Sequence, residues 1–407
     1  MLVPKWRFPE FREAGEWLYK NGDQVFNQVS NKKHNSDLPI LAITQEYGAV
    51  PRDEIDYSVI VTDKSVESYK IVEVGDFIIS LRSFQGGIEY SNHKGICSPA
   101  YVILRKRIDI EDLFFKYYFK TDLFIQDLNK NIEGIRDGKM VSYKQFSELL
   151  LPAPPKTEQQ KIATLLTTLD HLIAAQNEKI SALQRHKKGL MQQLFPAEGE
   201  RVPRVRFEGF EGEWDSLNGD WVFDQISNKD HNSNLPILAI TQEHGAIPRD
   251  KIDYNVIVTE KSVEGYKVVE IGDFIISLRS FQGGIEYSIY KGICSPAYII
   301  LRKKIDIEDI FFKFYFKTDL FIQNLTKNIE GIRDGKMVSY KQFSELLLPI
   351  PSKPEQQKIA TFLTTLDDLI AAQIQKREAL KRQKKGLMQG VFPNIHETEA
   401  SHTTPVP

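Results

Sequence analysis

Cysteine is almost missing from this sequence. Only Cys97 and Cys294 occur among 407 residues, which excludes a disulfide-stapled scaffold and a four-cysteine zinc site. Each lies in an apolar, strand-like stretch, GICSPAYVIL in the first case, with no neighbouring cysteine and no regularly spaced histidine. We therefore predict a buried, unreactive thiol at both positions.

An excess of charge of one sign is also missing. The 53 Lys and Arg residues against 55 Asp and Glu give a net charge of −2, which excludes a chain-wide basic field for nucleic acid. No apolar run approaches the roughly 20 residues of a membrane span. The N-terminus lacks the apolar segment of a secretory signal, so the cytoplasm is the expected location. The 41% of hydrophobic residues is typical of a folded protein and not of a disordered one.

The motifs that would mark an enzyme are absent from the sequence. It contains no HExxH, GxSxG or GxGxxG, and no Asn/Asp-Pro-Pro-aromatic stretch of the amino-methyltransferase kind. The segment GIRDGKM at 134–140 is one residue short of a phosphate loop and has Met where a hydroxyl is needed. His34 and His231 recur without a nearby set of metal ligands. We predict a non-catalytic chain that holds no metal.

One domain-sized unit occurs twice in the sequence. FIISLRSFQGGIEYS begins at Phe77 and again at Phe274, an offset of 197 residues. Between residues 21–196 and 218–393, 34 of 176 aligned positions differ. A period this long is too great for a solenoid repeat, so we predict two independently folding copies of one module.

Each copy changes from strands to helices along its length. The runs LPILAI, YSVIVT, DFIISL and AYVILR are short, β-branched and separated by turns. They predict a mixed α+β domain over residues 20–150, with a helical stretch over 111–129. The prolines at 152, 154 and 155 are expected to end this domain and start a new element.

A heptad stripe of apolar residues follows those prolines. It predicts a long helix from Glu158 to Leu194, repeated in the second copy. About 37 residues make a rod of roughly 55 Å, which buries its stripe best against the other rod of the same chain. We predict an antiparallel coiled coil, in which Gln176 and Gln373 either set the register or are merely tolerated. Its seam residues are Ile162, Leu166, Leu169, Ile173, Ile180, Leu183, Leu190, Ile359, Leu363, Leu366, Ile370, Leu380 and Leu387.

Three polar clusters occur in both copies and contain residue types that contact nucleic acid. Arg and Gln beside a glycine turn can address guanine and adenine edges, while glycine permits close approach to phosphate. Arg, Lys, Ser, Tyr and His in the other two suit phosphate contacts. A solvated turn remains the alternative for each cluster. The first comprises Arg82, Ser83, Gln85, Gly86, Arg279, Ser280, Gln282 and Gly283; the second Arg136, Lys139, Ser142, Tyr143, Arg333, Lys336, Ser339 and Tyr340; the third Lys32, His34, Asn35, Lys229, His231 and Asn232.

Together with these clusters, the helix starts give the chain a family likeness. LPAPPKTEQQKIATLLTTLDHLIAAQ recurs as LPIPSKPEQQKIATFLTTLDDLIAAQ, and VPKWRFPEF recurs as VPRVRFEGF, each of the latter followed by Gly-Glu-Trp. In these segments the sequence resembles the specificity subunits of type I restriction-modification systems. The likeness covers the chain up to Pro393.

The resemblance implies a fold class and a domain organisation. The fold is α+β, with two pseudo-symmetric, mixed α/β target-recognition domains at 1–152 and 198–349. Two long antiparallel coiled-coil helices, within 153–197 and 350–395, join these domains. A disordered tail is expected at 396–407.

The resemblance also implies a function in defence against foreign DNA. Each domain of this non-catalytic, sequence-specific subunit is expected to read one half of a bipartite site in double-stranded DNA. The helices bind two modification (methyltransferase) subunits, to which restriction (translocase and nuclease) subunits add. Adenine N6-methylation with S-adenosylmethionine belongs to those partners, so this chain is expected to bind no cofactor.

The near-identity of the two domains departs from the family pattern, in which the recognition domains of one chain usually differ. If a two-fold axis relates them, both read the same half-site in inverted orientation, and the target is an interrupted palindrome. This favours the shared Arg82 and Gln85 as base readers over Asn92 and His93, which the second copy lacks. The alternative is an architectural scaffold whose domains bind protein and read no DNA.

Overall fold

The chain forms two compact units, each with contributions from distant parts of the sequence. The computed structural model describes residues 3–34, 37–55, 66–130, 141–231, 234–252, 263–327 and 338–393. The first unit comprises Met1–Asn177 and Gln375–Pro407, and the second comprises Glu178–Ile374. The predicted strand YSVIVT and the tail at 396–407 lie outside the described residues.

The domain of the first unit mixes short strands with short helices, as the turn-rich sequence predicts. Its strands are β1 (Leu18–Asn21), β2 (Phe26–Val29), β3 (Leu41–Thr44), β4 (Gly48–Pro51), β5 (Lys70–Val72), β6 (Phe77–Ile79), β7 (Glu89–Tyr90), β8 (Gly95–Cys97), β9 (Val102–Lys106) and β10 (Leu150–Ala153). Its helices are α1 (Gly22–Val25), α2 (Ser83–Gly86), α3 (Asp112–Tyr118), α4 (Asp122–Lys130) and α5 (Tyr143–Glu148).

Antiparallel pairing organises these strands. The largest sheet has the order β2-β9-β6-β7, and the pairs β1-β10, β3-β4 and β5-β8 form separate two-stranded ladders. Pro152 lies in β10 opposite Tyr19, so this proline belongs to the last strand of the domain. The long helix begins after Pro155, at Lys156.

The second unit repeats the same domain. Its strands are β11 (Asp215–Asn218), β12 (Phe223–Ile226), β13 (Leu238–Thr241), β14 (Gly245–Pro248), β15 (Lys267–Val269), β16 (Phe274–Ile276), β17 (Glu286–Tyr287), β18 (Gly292–Cys294), β19 (Ile299–Lys303) and β20 (Leu347–Ile350). Its short helices are α7 (Gly219–Val222), α8 (Ser280–Gly283), α9 (Asp309–Tyr315), α10 (Asp319–Thr326) and α11 (Tyr340–Ser344). The four-stranded sheet again has the order β12-β19-β16-β17.

The predicted helical stretch at 111–129 is two helices, which corrects the sequence interpretation. The break falls at Phe119–Thr121, between α3 and α4. The hydroxyl of Thr121 accepts a hydrogen bond from Phe124 N at 3.2 Å and donates to Tyr118 O at 2.7 Å. Thr121 therefore caps a new helix in the middle of a continuous apolar run.

An aromatic cluster forms the main core of the first domain. Phe26 packs edge-on against Phe77 and Phe115, with centroid distances of 5.3 and 5.2 Å, an arrangement that aromatic quadrupoles favour. The cluster also contains Leu166 of the long helix and Phe392 near the chain end. The domain therefore packs on both helix segments of its unit.

The two long helices, α6 (Lys156–Leu194) and α12 (Lys353–Val391), confirm the predicted coiled-coil helices. In the first unit, Lys384 Nζ donates to Asp170 Oδ1 at 2.6 Å, and the Arg377 guanidinium contacts Asn177 Oδ1 at 3.4 Å. Moving seven residues forward along α6 thus means moving seven back along α12. The segments are antiparallel.

Burial along the helices follows the predicted seam. Seven of its residues are buried, and the remaining six are partly buried. The buried ones are Ile162, Leu166, Leu169, Ile180, Ile359, Leu363 and Ile370. Several of these also pack on the domain cores, so the stripe holds domain and helix together as well as helix and helix.

The recurring Glu-Gln-Gln at each helix start fixes the helix to its domain. The Arg7 guanidinium binds both carboxylate oxygens of Glu158, which is 1% exposed, at 2.8 Å. Gln159 accepts from Glu111 N at 3.0 Å and donates to Pro154 O at 2.9 Å. Arg206 binds Glu355 in the same bidentate manner in the second unit. Most of this motif is therefore a structural joint.

Candidate nucleic-acid interface

The first predicted cluster lies in a rigid turn that follows β6. We call residues 80–87, and 277–284 in the second unit, the glycine turn. Ser83 Oγ accepts from Ser80 N at 2.9 Å, and the amides of Gln85 and Gly86 both donate to Arg82 O. Ser83 is 1% exposed. Its hydroxyl thus holds the turn together and does not face solvent.

Close packing beneath the turn fixes it to the domain. Gly87 has φ +78°, and a Cβ there would lie 1.9 Å from Phe119 O. Lys120 Nζ donates to Gly86 O at 2.9 Å and to Glu89 Oε1 at 2.6 Å. Burial raises the pKa of Glu89, an effect that Lys120 partly offsets. The glycines therefore allow contact with the protein's own core, and they do not keep the turn open for a phosphate.

Two polar side chains of the turn point into solvent. Arg82 and Gln85 are exposed. Among the residues that the structure describes, no hydrogen bond or ion pair involves the Arg82 guanidinium or the Gln85 side-chain amide. Arg279 and Gln282 repeat this arrangement in the second unit. These donors remain available for an external acceptor.

The hairpin tip between β3 and β4 adjoins the turn, which the sequence analysis did not foresee. Gln45 Nε2 donates to Arg82 O at 3.3 Å, and a Cβ on Gly86 would meet the Gln45 amide at 2.5 Å. Tyr47 at the same tip is 59% exposed. The two positions are 37 residues apart, and no local sequence signal links them.

The described part of the second cluster serves the fold. Ser142 caps α5, accepting from Gln145 N at 3.2 Å, in a reciprocal capping box with Gln145. The Tyr143 hydroxyl donates to Phe26 O at 3.0 Å. Ser339 and Tyr340 have the same roles in the second unit. The spacing Ser-x-x-Gln is the signal that predicts such a cap.

The basic residues of the second cluster fall outside the described residues, as do two asparagines of the third. These are Arg136, Lys139, Arg333, Lys336, Asn35 and Asn232.

The third cluster lies beside β5, away from the elements that form the glycine turn. His34 Nε2 is 3.1 Å from Tyr69 O, and Ile71 N donates to Asn31 O at 2.7 Å. Lys32 is exposed. Burial lowers the pKa of Lys70 in β5, and the charge of Lys32 lowers it further. Lys229 and His231 take equivalent positions in the second unit.

A buried ion pair that the sequence analysis missed supports the main sheet. Arg105 binds both oxygens of Asp76, which is 1% exposed, at 2.8 and 2.7 Å. Hydrogen bonding to Asp76 raises the pKa of Arg105. Arg302 and Asp273 form the same pair in the second unit.

Both cysteines are buried, as predicted. Burial raises the pKa of Cys97 and of Cys294 to about 12. Within the described ranges no group of three or more His, Cys, Asp or Glu residues is arranged to hold a metal ion. The helices described here include none with the length and apolar character needed to cross a bilayer.

Comparison with known proteins points to one family. Residues 10–185 and 217–382 match the model of the type I restriction modification DNA specificity domain. The type I restriction enzyme MjaVIII specificity subunit of Methanocaldococcus jannaschii is 26% identical over 352 residues, covering 81% of this chain and 80% of the relative.

Two solved structures share the fold at low sequence identity. A chain from a structure of the type I R-M system has a TM-score of 0.57 at 17% identity, covering 93% of this chain and 97% of that chain. The type I restriction-modification system S subunit from M. genitalium has a TM-score of 0.51 at 15% identity, covering 97% and 100%.

Proposed function

Because the chain belongs to the type I restriction-modification DNA specificity family, we propose that its two domains read the same half-site in inverted orientation. The chain is a DNA-recognition subunit, and such subunits are generally non-catalytic. Its target is then an interrupted palindrome, in which two copies of one short sequence flank a gap.

The observation that carries this proposal is the identity of the two glycine turns. Arg82 and Arg279 both have φ −111° and ψ 5°. Gln45 and Gln242 both donate to the carbonyl of that arginine at 3.3 Å. Two surfaces with the same side chains in the same conformation select the same bases.

Reciprocal helix contacts support the inverted orientation. In the first unit Asp170 of α6 binds Lys384 of α12, and in the second unit Asp367 of α12 binds Lys187 of α6. These are the same two positions, exchanged between the copies. Exchange of this kind is what an isologous pairing of two equal modules produces.

Base reading is assigned to Arg82 and Gln85 with their counterparts in the second unit. Arg can donate two hydrogen bonds to guanine O6 and N7, and Gln can pair with adenine N6 and N7. The exposed Lys32 and the neighbouring His34 suit phosphate contacts. Ser83, Ser142 and Tyr143 are left out of this assignment because their hydroxyls hold the domain together.

The partners follow from the family and are proposed here for this chain. Two modification subunits bind along α6 and α12, and restriction subunits add to that complex in the cytoplasm. The modification subunits supply adenine N6-methylation and hold S-adenosylmethionine, while this chain binds no cofactor of its own.

Methylation mapping in a cell that carries the chain and its modification subunits tests the proposal. We expect one half-site, present twice in inverted orientation around a fixed gap. Two unrelated half-sites would refute the palindrome. Methylation that depends on the chain but follows no sequence would refute base reading by it.

Binding by the assembled complex tests the assigned residues. Arg82→Ala with Arg279→Ala should reduce the preference for cognate over random duplex by about 10- to 100-fold per half-site. Binding to random duplex should still weaken steeply with salt, because phosphate contacts persist. The control is Asn92→Ile with His93→Tyr, which gives the first domain the residues of the second and should leave recognition unchanged.

A further inference from the structure

A leucine is exposed at the base of each glycine turn. Leu81 and Leu278 are both 51% exposed, and each immediately precedes the arginine assigned to base reading. The sequence pattern had placed Leu81 within the strand DFIISL, but β6 ends at Ile79. The strand residues Phe77–Ile79 are all buried, so the chain emerges from the core as it reaches Leu81.

The leucine is exposed on a fixed backbone. Ser80 Oγ accepts from Arg82 N at 3.2 Å, and Ser80 N donates to Ser83 Oγ at 2.9 Å. These two hydrogen bonds span Leu81 from both sides. Within five consecutive residues the turn therefore presents one apolar side chain and the two exposed polar ones, Arg82 and Gln85.

Other apolar residues are exposed in both copies, but in different surroundings. Leu150 and Leu347 lie in the strands β10 and β20, and Leu172 and Leu369 lie on the long helices. The pair at 81 and 278 is the one that belongs to the glycine turns. Its neighbours are donors suited to the edges of guanine and adenine.

Burial of a leucine side chain is favourable, so an exposed one gains by meeting an apolar partner. The major groove offers one such group, the C5 methyl of thymine. Resting on the proposed function, we propose that Leu81 and Leu278 each contact a thymine methyl in the half-site, and so act as specificity determinants beside Arg82 and Arg279.

Replacing thymine by deoxyuridine deletes that methyl and leaves base pairing intact. The complex of the full chain with its modification subunits is titrated with the mapped duplex, in which the thymines are replaced one at a time. At one thymine of each half-site, loss of the methyl should weaken binding about fourfold. Leu81→Ala with Leu278→Ala should bind the unmodified site about as weakly and lose this sensitivity to uracil.

Two further variants complete the test. Leu81→Met with Leu278→Met should keep the sensitivity, because methionine still offers an apolar end. Leu172→Ala with Leu369→Ala removes equally paired, exposed leucines from the helices and should keep it fully.

The outcomes separate this inference from the proposed function. A half-site without an A·T pair, or a methyl effect that survives Leu81→Ala with Leu278→Ala, overturns the inference while sequence-specific binding stands. A complex that does not distinguish cognate from random duplex overturns both.

Discussion

Lys384 Nζ lies 2.6 Å from Asp170 Oδ1, and the hydroxyl of Tyr117 donates to the other carboxylate oxygen at 2.8 Å. Asp170 thus joins the domain, α6 and α12 of the first unit in one polar contact. In the second unit Lys187 binds Asp367 at 2.5 Å, but Phe314 stands where the tyrosine was. The chain therefore contains its own comparison of this joint with and without the phenol.

Asp170→Asn should cost more stability than Asp367→Asn. Both substitutions remove a partly exposed ion pair worth about 0.2–1 kcal/mol. Asp170→Asn also weakens a hydrogen bond to a charged acceptor, which adds about 1 kcal/mol. Thermal unfolding of the full chain measures the difference. In a Tyr117→Phe background the two costs should become equal, and equal costs in the unaltered chain would contradict the role given to Tyr117.

Thiol reagents should not label Cys97 or Cys294 in the native protein at pH 8. Because burial holds both pKa values near 12, the thiolate nucleophile is almost absent at that pH. A raised folded-state pKa means that the stability from the neutral thiols is complete below their unfolded pKa. That stability is lost as pH rises toward 12. Timed labelling with iodoacetamide checks the prediction, with urea-unfolded protein as the positive control.

Ser142→Ala and Tyr143→Phe should reduce stability and leave base discrimination unchanged. Loss of the helix cap costs about 1 kcal/mol, and loss of the hydrogen bond to Phe26 O costs a similar amount. Urea unfolding and competition binding with random duplex measure the two properties separately. Reduced discrimination in a variant that is still folded would return these residues to the interface.

Gly87→Ala should disrupt recognition of one half-site only. The new Cβ would lie 1.9 Å from the Phe119 carbonyl oxygen, on a backbone with positive φ, so the turn must move. Methylation mapping should show relaxed sequence preference at the half-site of the first domain and normal preference at the other. Gly15→Ala is the matched control, since Gly15 also has positive φ but a Cβ there meets nothing within 4 Å.

Elements set by a local periodic pattern were predictable from the sequence. The heptad stripe placed the helix start within two residues of Lys156, and the apolar setting of Cys97 predicted its burial. The pattern failed where a single polar group decides. Thr121 starts a new helix inside an apolar run, and Leu81 continues the pattern of a strand that has already ended.

Contacts between distant residues could not be predicted from the sequence. The bond from Arg7 to Glu158 spans 151 residues, and Gln45 meets the glycine turn 37 residues away. Ser142 was misjudged for a different reason. Its capping-box spacing was present, but a hydroxyl near Arg and Lys also suits a phosphate, and only the geometry distinguishes a cap from a contact.

The division of the chain at Asn177 and Gln375 sets an order of folding during synthesis. The second unit is one continuous segment, Glu178–Ile374, and is complete once Ile374 has left the ribosome. The first unit lacks Val391 and Phe392 of its core until the last residues are made. Although its domain is translated first, we expect the N-terminal unit to reach its final form last, because domains fold as units when their residues are all present.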